Sequence, residues 1–212
     1  KGHRGLQRLN VRTTGIIGYG QSFANNARIR VEVPETIVLG DANFTISTWA
    51  RAVSTSPSSA AQCLFSKSND DNHDVGDWTM GIGHTKDAFG VDHGWVASLD
   101  GKRNVNDAKW HHLAWVQEKN AQGGNLENWT LYVDGALETL ATANTKADVS
   151  TYIIRLGYLV TSSNYAASFQ GELDEYHISS VARSAAWIAA EHANQKTPNT
   201  FSTIGPEQSA AH

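Results

Sequence analysis

Apolar and polar residues alternate with a period of two along most of this chain, in runs too short to be amphipathic helices. Residues 27–33 set Ile29, Val31 and Val33 against Arg28, Arg30 and Glu32, the signature of a half-buried strand. Residues 44–51 place Phe44, Ile46, Thr48 and Ala50 on one face, and Thr45, Ser47, Trp49 and Arg51 on the other. Further strands are expected at 62–66, 78–83, 94–99, 109–117, 129–133, 137–142, 152–157 and 169–178. Asp134-Gly135 separates two of these runs, and Asp-Gly is the strongest short hairpin signal. Asp100-Gly101 and the stretch 122–125 read as two more turns. One segment breaks the pattern. From Ser184 to Asn194 the chain is Ala-rich, with Ser184 at an N-cap position and Trp187, Ile188 and Glu191 at helical spacing. Pro198 ends it, and 201–204 is expected to add a last strand. The pattern predicts an all-β fold: an antiparallel two-sheet β-sandwich or jelly roll with one short C-terminal helix.

The chain has 212 residues, enough for one all-β domain with a full core. A single domain over 1–212 is expected, its core at about 16–205 and its ends frayed. Lysine and arginine number 17 against 21 aspartates and glutamates, a net charge of −4. That balance argues against a nucleic-acid partner, which demands a dense cationic footprint. No run of about 18 apolar residues is present, so no membrane span is expected. The lone Cys63 excludes a disulfide scaffold and lies in an apolar run; it reads as a small buried hydrophobe. The chain opens on Lys1 rather than Met, as a piece of a longer protein would.

The tryptophans are the leading functional signal. Flat aromatic rings stack on the C–H faces of sugars, while Asp, Asn and His bind the hydroxyls. Trp78 and Trp95 flank polar segments at 70–77 and 86–93, which makes Trp78, Trp95, Asp74, Asp77 and His93 the candidate ligand-binding residues. Trp49, Trp110 and Trp115 sit in strands among apolar neighbours, and Trp187 is expected to dock the helix. His111 and His112 face opposite ways on a strand and cannot share one metal; His112 reads as a buried core histidine. His73, His84 and His93 lack zinc-ligand spacing. Asp70, Asn72 and Asp74 imitate the start of a calcium loop, but Val75 and Gly81 stand where such a loop needs Gly and Glu. No nucleophile elbow is present.

Four phrases, in order, resemble the laminin-G-like, concanavalin A-like jelly-roll domains of bacterial secreted and surface proteins. They are 18–23 with Phe44-Thr-Ile-Ser-Thr-Trp49, Lys109-Trp-His-His-Leu-Ala-Trp115, Leu131-Tyr-Val-Asp-Gly135, and 169–178 leading into 181–188. The resemblance spans about 16–205. It implies the jelly roll, and an extracellular, periplasmic or cell-surface setting within a longer chain. It also implies a structural Ca2+ held by Asp174, with Asn25, Asn26 or Gly40-Asp41 nearby; Asp174, Asn26 and Asp41 are the metal candidates. The family pattern has Asp-Gly after the Phe at 23, whereas Ala24-Asn25-Asn26 stands here.

Glucanases of the related type carry three acids at alternate positions of one strand. Glu172 and Asp174 fit, but Tyr176 occupies the third place and Glu175 falls on the other face, so no catalytic residue is assigned. The expected function is non-catalytic, lectin-like carbohydrate binding with a polysaccharide or glycan as partner. The rival readings are a protein-interaction, adhesion or spacer domain that meets other cell-surface proteins, and, behind it, a glycan hydrolase or lyase.

Overall fold

The computed structural model describes residues 5–24, 27–31, 37–40, 42–52, 62–68, 77–83, 87–94, 96–121, 126–145, 152–160 and 166–201. Two seven-stranded antiparallel sheets face each other. The front sheet runs in the order β1 (Gly5–Arg8), β4 (Arg28–Val31), β13 (Ile153–Leu156), β6 (Gln62–Ser68), β7 (Trp78–Ile82), β8 (Ala88–His93), β9 (Ala97–Asn104). The back sheet runs β12 (Ala136–Asn144), β11 (Leu126–Val133), β10 (His111–Lys119), β5 (Phe44–Ala52), β16 (Gly171–Ser179), β3 (Tyr19–Phe23), β2 (Val11–Thr14). A small hairpin, β14 (Tyr158–Val160) with β15 (Ala166–Ser168), lies beside β6. The expected β-sandwich jelly roll is therefore present.

Alternation explains which side chains meet between the sheets. Phe65, Trp78, Met80, Ile82, Phe89 and Val91 point inward from the front sheet, and Phe44, Ile46, Leu113, Trp115, Trp129 and Leu131 from the back. Asp134 and Gly135 both adopt positive φ, 53° and 75°, as a two-residue primed turn requires, and Val133 pairs with Ala136 across it. Asp100-Gly101 makes no turn: it lies inside β9, which pairs with β8 from Ala97 to Asn104 around an irregularity. The chain before residue 15, poor in core-forming residues, supplies an edge strand to each sheet, β1 and β2. Edge strands bury little, which is why they carry so little sequence signal.

The helix α1 (Ala185–Lys196) is capped by Ser184, whose side chain accepts from the Trp187 N–H at 3.2 Å. It covers the outer face of the back sheet, where Ile188 packs on Ala114, Val116 and Tyr132. Ile188 does the docking expected of Trp187, which is 39% exposed with the Arg183 guanidinium 4.5 Å from its ring. Phe201 ends a short second helix, α2 (Pro198–Phe201), in place of the expected strand. Residues 202–204 lie outside the described residues. No helix is long and apolar enough to cross a membrane, among the described residues.

Candidate functional site

The two outer faces differ. The back sheet is capped by α1, which meets Trp49, His112, Ala114, Val116, Tyr132 and His177 there. Register fixes what the front face presents. Leu6 pairs with Arg30, Arg30 with Arg155, Arg155 with Ser66, Ser66 with Thr79, Thr79 with Asp92, and Asp92 with Ser98. Directly paired residues project from the same face, so these seven form one row across all seven strands. Their neighbours along each strand, such as Trp78, Met80 and Val91, are core residues, which turns the row outward.

Arg155, Ser66, Thr79 and Asp92 are 4%, 0%, 8% and 8% exposed, while Arg30 and Ser98 at the flanks are open. Ser66 Oγ donates to the Tyr158 carbonyl at 2.8 Å, and an Arg155 Nη1–H donates to Ser68 Oγ at 3.3 Å. Two residues along from Thr79 and Asp92, Gly81 and Gly90 pair with each other on the same face. A Cβ at Gly90 would lie 2.1 Å from Asp100 Oδ1, and one at Gly81 would lie 2.8 Å from the Gln62 carbonyl. The Asp100 carboxylate and the Gln62 carbonyl thus fill the space that a side chain would take at these two glycines. The row is therefore open at Arg30 and Ser98, and the four side chains between them are buried.

The sequence candidates fall elsewhere. Trp78 is fully buried. Its ring lies 4.0 Å from His93, 5.8 Å from Trp115, 6.0 Å from Phe44 and 6.2 Å from Trp129, centroid to centroid. It fills the core and presents no face for stacking. His93 is also fully buried against Trp78, with Nδ1 3.2 Å from the Asp77 carbonyl, and the Asp77 side chain is buried with it. The structure thus brings Trp78, Asp77 and His93 together, but as a packed cluster at the sheet's inner side. Trp78 is the in-facing partner of Lys67 and His93 on adjacent strands. Trp95, Asp74, His73 and His84 lie outside the described residues. Thr79 and Asp92, one position along from Trp78 and His93, face out in their place; alternation from Trp78 as an inward residue would have found both.

Asp174 is 7% exposed on β16. Its Oδ2 accepts the N–H groups of Ile16 and Ile17 at 2.8 and 3.1 Å, pinning the β2–β3 turn. The turn leaves no room beside this oxygen: a Cβ at Gly15 would sit 2.1 Å from it. Two N–H donors converge on that oxygen, an arrangement that suits an anion and opposes a cation. Oδ2 of Asp174 is therefore committed to the turn rather than to Ca2+, and no three His, Cys, Asp or Glu converge on a metal position among the described residues. Asn26 and Asp41, the other expected ligands, lie outside the described residues. Asp174→Ala, which strands both N–H groups, is expected to lower unfolding free energy by about 1–3 kcal/mol, measured by urea denaturation. EDTA is expected to leave the melting temperature unchanged; a drop would bring Ca2+ back with Asp174 as a ligand.

The other acids are also engaged. Glu172 forms an ion pair with Arg51 and accepts from Thr13 Oγ1 at 3.2 Å. A bulge opens after Asp174, with Glu175 at φ 46°, and it turns the Tyr176 side chain to the core side. Cys63 is buried, and burial pushes its thiol up to about 12, as an inert hydrophobe. His112 and His111 do face opposite ways. His112 lies buried under α1, and His111 bridges Asp107 and Asp134 at 3.0 and 2.9 Å.

The chain belongs to the concanavalin A-like lectin/glucanases superfamily, whose sequence profile matches residues 25–189. No curated protein sequence matches it. Solved structures agree on the fold. The binding domain of Paraclostridial Mosquitocidal Protein 1 aligns with a TM-score of 0.65 at 15% identity, over 88% of this chain and 46% of that one. This chain thus spans under half of that relative's length. The CBM40 module of the Ruminococcus gnavus IT-sialidase, bound to α2,3 sialyllactose, gives 0.61 at 16%, over 88% and 98%. Domain 4 of AbnA, a GH43 extracellular arabinanase from Geobacillus stearothermophilus, in complex with arabinotriose, gives 0.57 at 16%, over 86% and 80%.

Proposed function

We propose that this chain is a non-catalytic carbohydrate-binding module that takes a glycan on the outer face of its front sheet. The observation that carries the reading is the row from Arg30 to Ser98: polar side chains in one line on the face opposite α1, exposed at Arg30 and Ser98 and buried between them. Two of the structural neighbours hold sugars, arabinotriose and α2,3 sialyllactose, which supports a binding role on this fold. The acids Glu172 and Asp174 are tied up in structural bonds, which fits binding better than hydrolysis. The module would serve a larger secreted or surface-attached bacterial protein, holding it on a polysaccharide.

A shallow, wet site of this kind binds in the micromolar-to-millimolar range, about −4 to −8 kcal/mol. Retention on a panel of polysaccharide gels tests it. The expected result is retardation by at least one polymer and its loss in Asp92→Ala, with the fold intact by circular dichroism. A folded chain that no polymer retards, but that captures a defined cell-surface protein, would replace the reading with protein interaction. Release of reducing ends would replace it with hydrolysis.

A further inference from the structure

The row is not electrically uniform. Its β1–β4–β13 end gathers four of the chain's nine arginines on one face. Arg8 pairs with Arg28, Arg30 pairs with Arg155, and Arg28 and Arg30 are two residues apart on β4. Adjacent strands lie about 4.8 Å apart, and like charges directly opposite one another destabilise a strand pair. Arg8 and Arg30 are exposed, and Arg28 is half-buried with its guanidinium 4.8 Å from the Tyr158 ring. Among the described residues no carboxylate pairs with Arg8, Arg28 or Arg30. Elsewhere Arg51 meets Glu172, and Arg103 meets Asp134 and Glu138, while Arg12 and Arg183 lie singly over the Tyr19 and Trp187 rings. A chain with a net charge of −4 has acids to place, yet none of those described pairs with these three.

We infer that this patch binds the acid groups of an anionic polysaccharide, carboxylate or sulfate, so that the glycan of the proposed function is an acidic one. The inference rests on that function. Guanidinium forks suit both groups, with two parallel N–H···O bonds to each. Asp92 stands four strands from Arg30, about 19 Å away at that spacing. The acid groups are therefore taken at the arginine end, away from Asp92, and duplex DNA, a polyanion of another class, is an outcome of the test.

Affinity electrophoresis of the full chain tests this, in gels holding polygalacturonate, dextran sulfate or a neutral β-glucan, with duplex DNA as competitor. Retardation is expected in an acidic gel and should fade with added salt. Arg8→Gln with Arg30→Gln should weaken it about tenfold without lowering the melting temperature, since a repulsion is removed. Polygalacturonate alone would identify carboxylates, dextran sulfate alone sulfates, and both the shared charge. Arg8→Lys with Arg30→Lys keeps the charge and loses the fork; it should weaken carboxylate binding selectively. Unchanged retardation in the double Gln variant, or DNA competing as well as the acidic polymers, would overturn the inference. Retardation by the neutral gel alone would overturn it and leave the glycan reading standing. No retardation in any gel, from a folded chain, would overturn both.

Discussion

Replacing Trp78 with alanine is expected to lower the unfolding free energy by about 3–5 kcal/mol, the usual cost of removing a large buried aromatic. For a chain of this size that is a fall of roughly 6–20 °C in melting temperature. The reason is position. Trp78 is fully buried and contacts Phe44, Trp115 and Trp129, so its indole joins the two sheets. Phe44 and Trp115 meet edge to face at 4.9 Å, and Trp115 and Trp129 at 5.2 Å. Trp129 Nε1–H donates to Gln117 Oε1 at 2.7 Å, and the Gln117 amide donates to the Ala42 carbonyl at 2.8 Å, fixing the lower edge of the cluster. Removing Trp78 opens a cavity that three rigid rings cannot collapse into. Thermal melting and urea denaturation check it. A melting temperature within a degree or two of wild type, with glycan retention lost, would instead place Trp78 on a sugar platform.

Trp78 also shows where reading the sequence stops. Period-two alternation gives the strands, and the Asp134-Gly135 hairpin follows from turn chemistry alone. Alternation does not say which of two faces is inward when both carry candidates. In β7 and β8 the polar residues are few, and Trp78 and His93 share the inner face with Met80 and Val91. A tryptophan beside polar loops looks the same in sequence whether it fills a core or lines a rim. The outward row was not legible for a second reason. Its members come from seven strands far apart in sequence, and only register brings Arg30, Arg155, Ser66 and Asp92 into line. The bulge at Glu175 was likewise invisible, because Glu-Leu-Asp-Glu-Tyr reads as a regular strand. Thr48 faces both Glu175 and Tyr176 across the pair and donates from Oγ1 to the Asp174 carbonyl at 3.0 Å.

The second large effect concerns the helix on the other face. Glu191 of α1 lies between His112 of β10 and His177 of β16, with oxygens 3.4 and 3.3 Å from their ring nitrogens. Burial alone would push the Glu191 carboxyl up, but the hydrogen bonds from His112 and His177 outweigh it and hold the carboxyl at about 2. The bond to Glu191 raises His177 above its ordinary 6.5 against the opposing effect of burial, with Glu175 3.8 Å away adding to the rise. Glu191→Ala is expected to cost about 1.5–3 kcal/mol, the range for a hydrogen bond to a charged group.

The pH dependence follows from the two signs. A lowered carboxylate contributes fully above its ordinary 4.5 and loses that contribution as pH falls towards 2. A raised histidine contributes fully below 6.5 and loses it as pH rises through its raised value. The gap in melting temperature between wild type and Glu191→Ala should therefore be widest between 4.5 and 6.5 and narrow on the alkaline side. His192, which stacks on Trp49 at 5.4 Å, is lowered by burial and then by the charge of His112. It opposes folding in acid in both proteins, so the difference between them cancels it. A gap that stays constant across this range would show that Glu191 acts by packing alone. Trp49 Nε1–H donates to Gln195 Oε1 at 2.7 Å and keeps a second, pH-independent tether on the helix.

The two faces are built differently. The back face is closed by α1 through Ile188, Glu191 and Gln195, and the proposed ligand row lies on the front face. A steric block on the front face separates them most directly. Ser98 is exposed at the β9 end of the row, and Trp187 is exposed on the helix. Ser98→Trp should place an indole over Asp92, while Trp187→Ala alters only the helix side. The measurement is glycan-array binding of the wild type and both variants, each shown to be folded by its melting curve. The expected result is glycan binding that Ser98→Trp abolishes and Trp187→Ala preserves. Binding kept by Ser98→Trp and lost in Trp187→Ala would contradict a front-face site and move it to the helix.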